Sequence, residues 1–300
     1  MYEYLDESKS NLAVNTTTGE VTEAVTVIIP IGSTIYTPEQ KRAYKERKAK
    51  EAEKERRNYY RRKYPGELGY FYFVMNEHRF GNISAESAVR LLYLCTYLNF
   101  ENEFMISQRQ KMKKSDLKSI LGLSTGTTFN FWKEVNGTYI IDLGDDGLKL
   151  NCSEIVRGAI SDSDSLYKKI YIDAIRNIYK ATPTSKHKHL GYVFKLLPFI
   201  NTEYNIICDN PEEKELKKIK PLSVADICDI IDYDKTNLAR FMKIYRQITF
   251  DYKGQQEYFL TFVTNKGDAD STRAFVNPHI LYSGSDFKKV EVLGAFVKVE

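Results

Sequence analysis

Residues 223–245 of the chain read SVADICDIIDYDKTNLARFMKIY. The first part of this stretch, from Ser223 to Ile231, is interpreted as a short helix, and a polar turn follows at 232–234. Two short helices joined by a tight turn are typical of a helix-turn-helix, whose second helix enters the DNA major groove. The stretch therefore predicts a helix over 223–231 and a recognition helix over 235–245.

A second copy of this order lies upstream. It consists of predicted helices at 115–121 and 125–134, a tight turn at 122–124, and hairpin strands at 138–142 and 148–151. The hairpin expected after the downstream copy has its strands at 248–252 and 258–263. With an offset of 110 residues, apolar positions of the two copies coincide, and Phe131 falls on Phe241. The sequence therefore predicts two winged helix-turn-helix domains, near 84–158 and 187–264.

Further elements flank the two copies. Before them, the sequence predicts an N-terminal hairpin around Thr17-Thr18-Gly19, a helix over 38–63 closed by Pro65-Gly66, a strand at 69–74 and a helix capped by Ser84. Between them, it predicts amphipathic helices over 165–181 and 189–200 and a polar loop over 205–221.

The composition is that of a globular chain, with 42% hydrophobic and 28% charged residues. No apolar run approaches the roughly 18 residues needed to span a bilayer, and the N-terminus lacks a signal-peptide pattern. A cytoplasmic location is therefore expected. The cysteines are widely spaced without a CxxC motif and are expected to be buried, reduced thiols. They are Cys95, Cys152, Cys208 and Cys228.

The motifs of the common enzyme classes are missing from the sequence. It contains no GxxxxGK[ST] phosphate-binding loop, and its histidines and cysteines have no zinc-site spacing. In His187-Lys188-His189, a lysine separates the histidines at a helix start, whereas the paired histidines of rolling-circle nickases need an apolar spacer on a strand. We therefore expect no enzymatic activity, no cofactor and no metal.

Positive charge is concentrated in one segment. Residues 39–63 hold 12 Lys/Arg and five Glu, which leaves 32 basic against 35 acidic residues in the rest of the chain. This excess predicts an anionic partner, and the lack of an apolar face favours nucleic acid over a membrane. The residues expected to contact phosphate are Lys41, Arg42, Lys45, Arg47, Lys48, Arg56, Arg57, Arg61, Arg62 and Lys63. The alternative is a solvated helix stabilised by Glu–Lys pairs.

The downstream recognition helix carries the side chains that read DNA. Asparagine suits adenine, arginine suits guanine and lysine suits phosphate. The residues expected on its outward side are Lys235, Thr236, Asn237, Arg240 and Lys243, and those expected to pack inward are Leu238, Ala239, Phe241 and Met242. The upstream helix offers Thr125, Thr127, Thr128, Asn130 and Lys133. With fewer charged groups, it is expected to be a weaker reader, a phosphate clamp or a dimer contact.

Several short motifs resemble those of a known group of proteins. They are Val14-Asn15, Thr18-Gly19-Glu20, the basic spacer, the two helix-turn-helix copies, and Phe275-Val276-Asn277-Pro278 followed by Tyr282 and Gly284. Together they resemble DNA-binding proteins of plasmids and phages of low-GC Gram-positive bacteria, including replication initiators and helix-turn-helix regulators. The resemblance implies sequence-specific binding of double-stranded DNA, often at repeated sites, with one domain partly given to dimer contacts.

The sequence as a whole predicts a mainly α (α+β) protein with two winged helix-turn-helix domains in tandem and a basic N-terminal arm. The expected divisions are an N-terminal hairpin or flexible lead at 1–37, the arm at 38–66, and the two domains at 67–163 and 164–300. The leading function is origin binding for plasmid or phage replication. A phage transcription regulator and a protein–protein scaffold are the alternatives. Expected partners are double-stranded DNA, a second copy of the chain, and host or phage replication or transcription proteins, without a membrane.

Overall fold

The computed structural model describes residues 2–4, 12–15, 17–19, 21–23, 38–74, 83–158, 167–264, 272–284, 290 and 296–297. The chain forms two compact units, Met1–Lys54 and Glu55–Glu300. Helices and strands are both abundant, which confirms the expected α+β class. Among the helices described, none is long and apolar enough to cross a membrane.

The described residues contain eight α-helices and 14 β-strands. The helices are α1 (Pro38–Leu68), α2 (Ala85–Cys95), α3 (Leu117–Leu121), α4 (Thr125–Val135), α5 (Ile172–Ala181), α6 (His187–Lys195), α7 (Val224–Ile230) and α8 (Leu238–Tyr245). The strands are β1 (Tyr2–Tyr4), β2 (Leu12–Asn15), β3 (Val21–Glu23), β4 (Tyr70–Val74), β5 (Met105–Ser107), β6 (Gln110–Lys111), β7 (Ile140–Asp142), β8 (Leu148–Leu150), β9 (Ile155–Val156), β10 (Tyr167–Tyr171), β11 (Thr249–Tyr252), β12 (Gln255–Tyr258), β13 (Leu260–Val263) and β14 (Arg273–Val276).

The N-terminal strands form an antiparallel sheet in the order β1-β2-β3. Strand β2 pairs with β3 across the turn that ends at Gly19, whose φ is +72°, so the predicted hairpin is confirmed for these residues. The sequence predicts that the second strand of this hairpin runs from Glu20 to Ile29, and its residues 24–29 lie outside the described residues.

The predicted basic helix is present as α1, but its expected end is wrong. The helix continues through Pro65 and Gly66 to Leu68. It stops at Gly69, which adopts the left-handed conformation at φ +62° that commonly ends a helix. The proline therefore does not break the helix, and the C-terminal stop lies three residues beyond Gly66.

Helices α2 and α6 form the centre of the larger unit. Ser84 caps α2 as predicted, because its side chain accepts a hydrogen bond from the Ser87 amide. Helix α2 packs chiefly against α6. At their contact, a Cβ atom on Gly191 would lie 1.6 Å from the Ala85 carbonyl oxygen, so only glycine permits this approach. Their fully buried side chains include Leu91, Leu92, Val193 and Phe194.

The helix predicted over 165–181 is partly wrong. Residues 165–166 lie outside the described residues, Tyr167–Tyr171 form strand β10, and the helix begins only at Ile172. Strand β10 pairs antiparallel with β4 along five residues, from Tyr167 opposite Val74 to Tyr171 opposite Tyr70. This pairing with a distant aromatic strand overrides the helical spacing of the local sequence.

Upstream, the two predicted helices, the tight turn between them and the following hairpin are present. Helices α3 and α4 are separated by Gly122, at φ +64°, and by Ser124, whose side chain accepts a hydrogen bond from the Thr127 amide. Strands β7 and β8 then pair antiparallel. Phe131, fully buried, anchors α4 to the core.

Downstream, the two helices are confirmed, but the predicted hairpin partner is wrong. Strand β11 pairs with β12, and β13 pairs with β14 instead. The reason is the two-residue turn at Lys253 and Gly254, whose φ angles of +54° and +82° bring the chain back at once. The predicted second strand at 258–263 therefore divides between two hairpins.

Hairpin β11–β12 is held by a buried polar cluster. The Glu257 carboxylate, 4% exposed, accepts a hydrogen bond of 2.9 Å from the Asn277 side-chain amide. The same oxygen lies 2.8 Å from Nδ1 of His279, and the His279 ring stacks on Tyr252 at 3.7 Å between centroids. The Asn277-Pro278-His279 segment therefore attaches this hairpin to the end of β14.

The two helix pairs, α3–α4 and α7–α8, share detailed geometry at the offset of 110. Residues 85–150 are named the first repeat and residues 187–276 the second repeat. Gly122 corresponds to Asp232, and both have a positive φ, +64° and +55°. Phe131 and Phe241 are both fully buried. The hydrogen bond that closes the turn also recurs, and its two copies are Leu123 N to Lys118 O at 3.1 Å and Tyr233 N to Cys228 O at 2.8 Å.

The hydrogen bonds also identify which hairpins correspond. In the first repeat, the Leu150 amide of β8 donates to the carbonyl of Asn102, which has φ +62°. In the second, the Val276 amide of β14 donates to the carbonyl of Asn205, at φ +53°. Hairpin β13–β14 therefore corresponds to β7–β8, and β11–β12 is an insertion present only in the second repeat.

Candidate nucleic-acid interface

Helix α8 begins in a tight polar network. The Asp234 carboxylate accepts hydrogen bonds from the Thr236 amide at 2.9 Å and its hydroxyl at 2.8 Å. It also accepts one of 2.9 Å from the side-chain amide of Asn237. These bonds lower the pKa of Asp234 and keep its charge at the helix start. Residues 235–237 form a 3-10 turn that Asp234 caps, and the side chains of the predicted readers Thr236 and Asn237 donate hydrogen bonds to Asp234.

The cationic side chains of this helix differ in their surroundings. Lys235 forms an ion pair with Asp229, in which both side chains are about half exposed. Arg240 and Lys243 are exposed on the middle and end of α8. Within the part of the chain that the structure describes, neither of these two has an ion-pair partner. They are therefore the α8 charges available to an external anion.

The inward face of α8 is as predicted except at one residue. Phe241 is buried, and Leu238 and Met242 are half-buried against the core, whereas Ala239 is exposed and the prediction for it is wrong. Ala239 follows Leu238 by about 100° around the helix, which turns it to the same side as Arg240. The Tyr245 hydroxyl fixes the other end by donating to the His189 carbonyl at 2.7 Å.

Helix α4 has a similar beginning. The Thr127 and Ser124 hydroxyl oxygens lie 2.9 Å apart, and the Thr128 hydroxyl donates to the Ser124 carbonyl at 2.9 Å. The hydroxyl groups of two predicted readers, Thr127 and Thr128, are thus hydrogen-bonded to Ser124 at the start of α4. The other three, Thr125, Asn130 and Lys133, are exposed.

The prediction missed Phe129, which lies beside these exposed residues. Its side chain is 66% exposed, although phenylalanine is usually buried. The signal was present in the sequence, since Phe129 is one helical turn before Lys133 and one residue before Asn130. Single exposed apolar side chains are common on protein surfaces, so Phe129 adds an apolar group to this outward face without by itself indicating a partner.

The outward faces of α4 and α8 correspond position by position. At the offset of 110, the exposed pairs are Gly126 and Thr236, Phe129 and Ala239, Asn130 and Arg240, and Lys133 and Lys243. These positions follow the spacing i, i+3, i+4 and i+7 of a single helical stripe. Each stripe thus contains an apolar residue, a hydrogen-bonding side chain and a lysine, in this order.

The arm residues lie on α1. Those with exposed side chains are Lys41, Arg42, Lys45, Arg47, Lys48, Arg57 and Arg62. Arg56 is half-buried, and the side chains of Arg61 and Lys63 lie outside the described residues. Nε of Arg47 is 3.7 Å from the Glu51 carboxylate in an i,i+4 pair, so part of the charge is balanced within the helix.

The paired histidines lie in the first turn of α6. His187 is buried at the start of α6, with Nε2 3.0 Å from the Thr182 carbonyl oxygen, and His189 is half-buried. Burial lowers the pKa of both rings. Among the residues described, no three His, Cys, Asp or Glu side chains are placed to hold a metal ion. The four cysteines are free thiols, of which Cys152 is only half-buried.

No protein-family model, curated protein or solved structure matches the chain. Its function is therefore inferred from its own residues and geometry.

Proposed function

We propose that the chain is a sequence-specific, double-stranded DNA-binding protein in which α4 and α8 are recognition helices. The observation that carries this proposal is the matched exposed stripe, which ends in Lys133 on α4 and in Lys243 on α8. Each stripe lies on the second helix of a helix-turn-helix, the element that enters the major groove in such motifs. Arg240 has the fork geometry that pairs with guanine, and lysines at the helix ends suit phosphate.

Each repeat is proposed to be a winged helix-turn-helix domain. The supporting features are the helix before each motif, the short helix pair, and the hairpin that follows, β7–β8 in the first repeat and β13–β14 in the second. In this class of motif the recognition helix follows the turn, which is where α4 and α8 lie. The inserted hairpin β11–β12 gives the second repeat an additional wing.

The arm is proposed to bind the phosphate backbone without reading sequence. Its 12 Lys/Arg against five Glu provide a surplus of positive charge, and most of the described side chains are exposed. Neutralising phosphates releases condensed counterions, so this contribution to affinity should depend steeply on salt. The arm would supply general affinity, and the two recognition helices would supply selectivity.

Within this class, initiation of plasmid or phage replication is the function we favour, on the resemblance of the short motifs. Such a protein would act in the cytoplasm on DNA, without enzymatic activity and with a second copy or replication proteins as partners. A phage transcription regulator would use the same helices. A map of binding sites on the source genome separates the two, because an initiator binds repeated sites beside an AT-rich tract and a regulator binds over promoters.

Selection of bound duplexes from a random library tests the DNA-binding proposal. The full chain should enrich a defined sequence. A variant with both Arg240 and Lys243 changed to Ala should enrich it weakly or not at all, provided that it melts like the wild-type protein. If the wild-type chain enriches no sequence, the proposal is contradicted. The alternative function, a protein–protein scaffold, is then favoured.

A further inference from the structure

The two recognition stripes differ in chemistry at the positions that would face bases. On α4, the apolar and hydrogen-bonding positions are Phe129 and Asn130, whereas on α8 they are Ala239 and Arg240. All four residues are exposed, and the lysine that follows one turn later is the same in both helices. The two stripes therefore have the same spacing along the helix but present different side chains.

The α4 stripe suits an A·T pair. Thymine has a methyl group in the major groove, and phenylalanine is one of the side chains that make apolar contact with it. Asparagine pairs in a bidentate manner with N6 and N7 of adenine. Gly126, one turn before Phe129, has open space where a Cβ would lie, so the backbone there can approach a ligand closely.

The α8 stripe suits a G·C pair. The Arg240 guanidinium can donate two hydrogen bonds to O6 and N7 of guanine. Ala239, in the place of Phe129, is too small to cover a thymine methyl group to the same extent. Asn237, which could otherwise read adenine, donates to Asp234 within the chain.

We infer that the two repeats read different bases, an A·T-containing half-site through Phe129 and Asn130 on α4 and a guanine-containing half-site through Arg240 on α8. The target is then an asymmetric sequence, although the two repeats share their geometry. This inference rests on the proposed DNA-binding function and identifies the chemistry of its ligand.

Base analogues in the selected sequence test the inference. Uracil lacks the methyl group of thymine, so replacing contacted thymines by deoxyuridine should weaken wild-type binding roughly fourfold per buried methyl group. The Phe129→Ala variant should bind the thymine and uracil duplexes equally. Phe129 is largely exposed, so this variant should melt like the wild-type protein, in contrast to a change at the buried Phe131.

A matched analogue tests the other helix. Replacing guanine by 7-deazaguanine removes the N7 acceptor and should weaken DNA binding by the wild-type protein several-fold. The same replacement should leave the affinity of the Arg240→Ala variant unchanged. Phe129→Ala should remain sensitive to 7-deazaguanine, and Arg240→Ala should remain sensitive to uracil.

The outcomes separate this inference from the function on which it rests. The wild-type chain could enrich a sequence but bind it equally well when any thymine is replaced by uracil, or Phe129→Ala could still bind the thymine duplex more tightly than the uracil duplex. In either case the inference is wrong and DNA binding stands. If Phe129→Ala instead changes only the molecular mass in solution, Phe129 contacts a second copy and the inference is also wrong. If no sequence is enriched, both the inference and the proposed function are wrong.

Discussion

Lys168 allows a quantitative test of the fold. It lies on β10 with only 1% of its surface exposed, and its ammonium group donates a hydrogen bond to the carbonyl of Ile200. Burial lowers the pKa of Lys168 from 10.5 to about 7, and the negative charge of Glu212 only partly opposes this effect. This hydrogen bond links strand β10 to the second repeat, because Ile200 follows α6.

The depressed pKa makes stability depend on pH. Between pH 7 and pH 10.5, the unfolded chain holds the Lys168 proton and the folded chain has released it, so raising the pH favours the folded state. Integrated from pH 7 to pH 9, this linkage contributes about 2 kcal/mol to the free energy of unfolding. The Lys168→Met variant cannot titrate and should lack this contribution.

Urea unfolding at pH 7, 8 and 9 under reducing conditions measures the effect. The wild-type protein should gain about 2 kcal/mol over this range relative to Lys168→Met. Lys169→Met is the matched control, because Lys169 lies on the opposite face of the same strand and is only half-buried. The reasoning is refuted if wild type and Lys168→Met show the same pH dependence.

Three further predictions concern the arm and the packing. Deleting residues 39–63 should flatten the slope of log K against log salt for DNA binding by several units, since released counterions drive this contact, and an unchanged slope means that the arm does not touch phosphate. Gly191→Ala should lower stability by roughly 1–3 kcal/mol or more in thermal melts, because its Cβ would collide with the Ala85 carbonyl. Gly126→Ala, where the space is open, should raise stability slightly, and equal melting of the two variants would contradict the proposed close contact. Asp226→Ala removes the capping box with Ser223 and should lower stability by about 1 kcal/mol in urea unfolding, whereas no change would show that the box is dispensable.

The sequence predicted elements that are defined by local chemistry. The serine cap at 84, the tight turn at 122–124 and the outward and inward faces of α8 each depend on residues within a few positions of one another. Phe131 and Phe241, which coincide at the offset of 110, are both fully buried in the structure.

The errors arose where distant parts of the chain decide the structure. Strand β10 has a helical apolar pattern, and only its pairing with β4 makes it extended. The partner of β13 is β14, beyond a segment outside the described residues, and no local signal favours it over β11. On α8, the sequence correctly predicted that Arg240 and Lys243 lie on the outward side, but it could not reveal that the Asn237 side chain donates a hydrogen bond to Asp234.

The central claim is that α8 reads DNA sequence through Arg240, and the most direct test is the ratio of affinities for the selected duplex and a scrambled one. Arg240→Ala should lower this ratio by the equivalent of roughly 1–3 kcal/mol, because it removes a base contact. Lys243→Ala should weaken binding to both duplexes about equally, because it removes a phosphate contact. An Arg240→Ala variant that folds normally and keeps the wild-type ratio would contradict the claim.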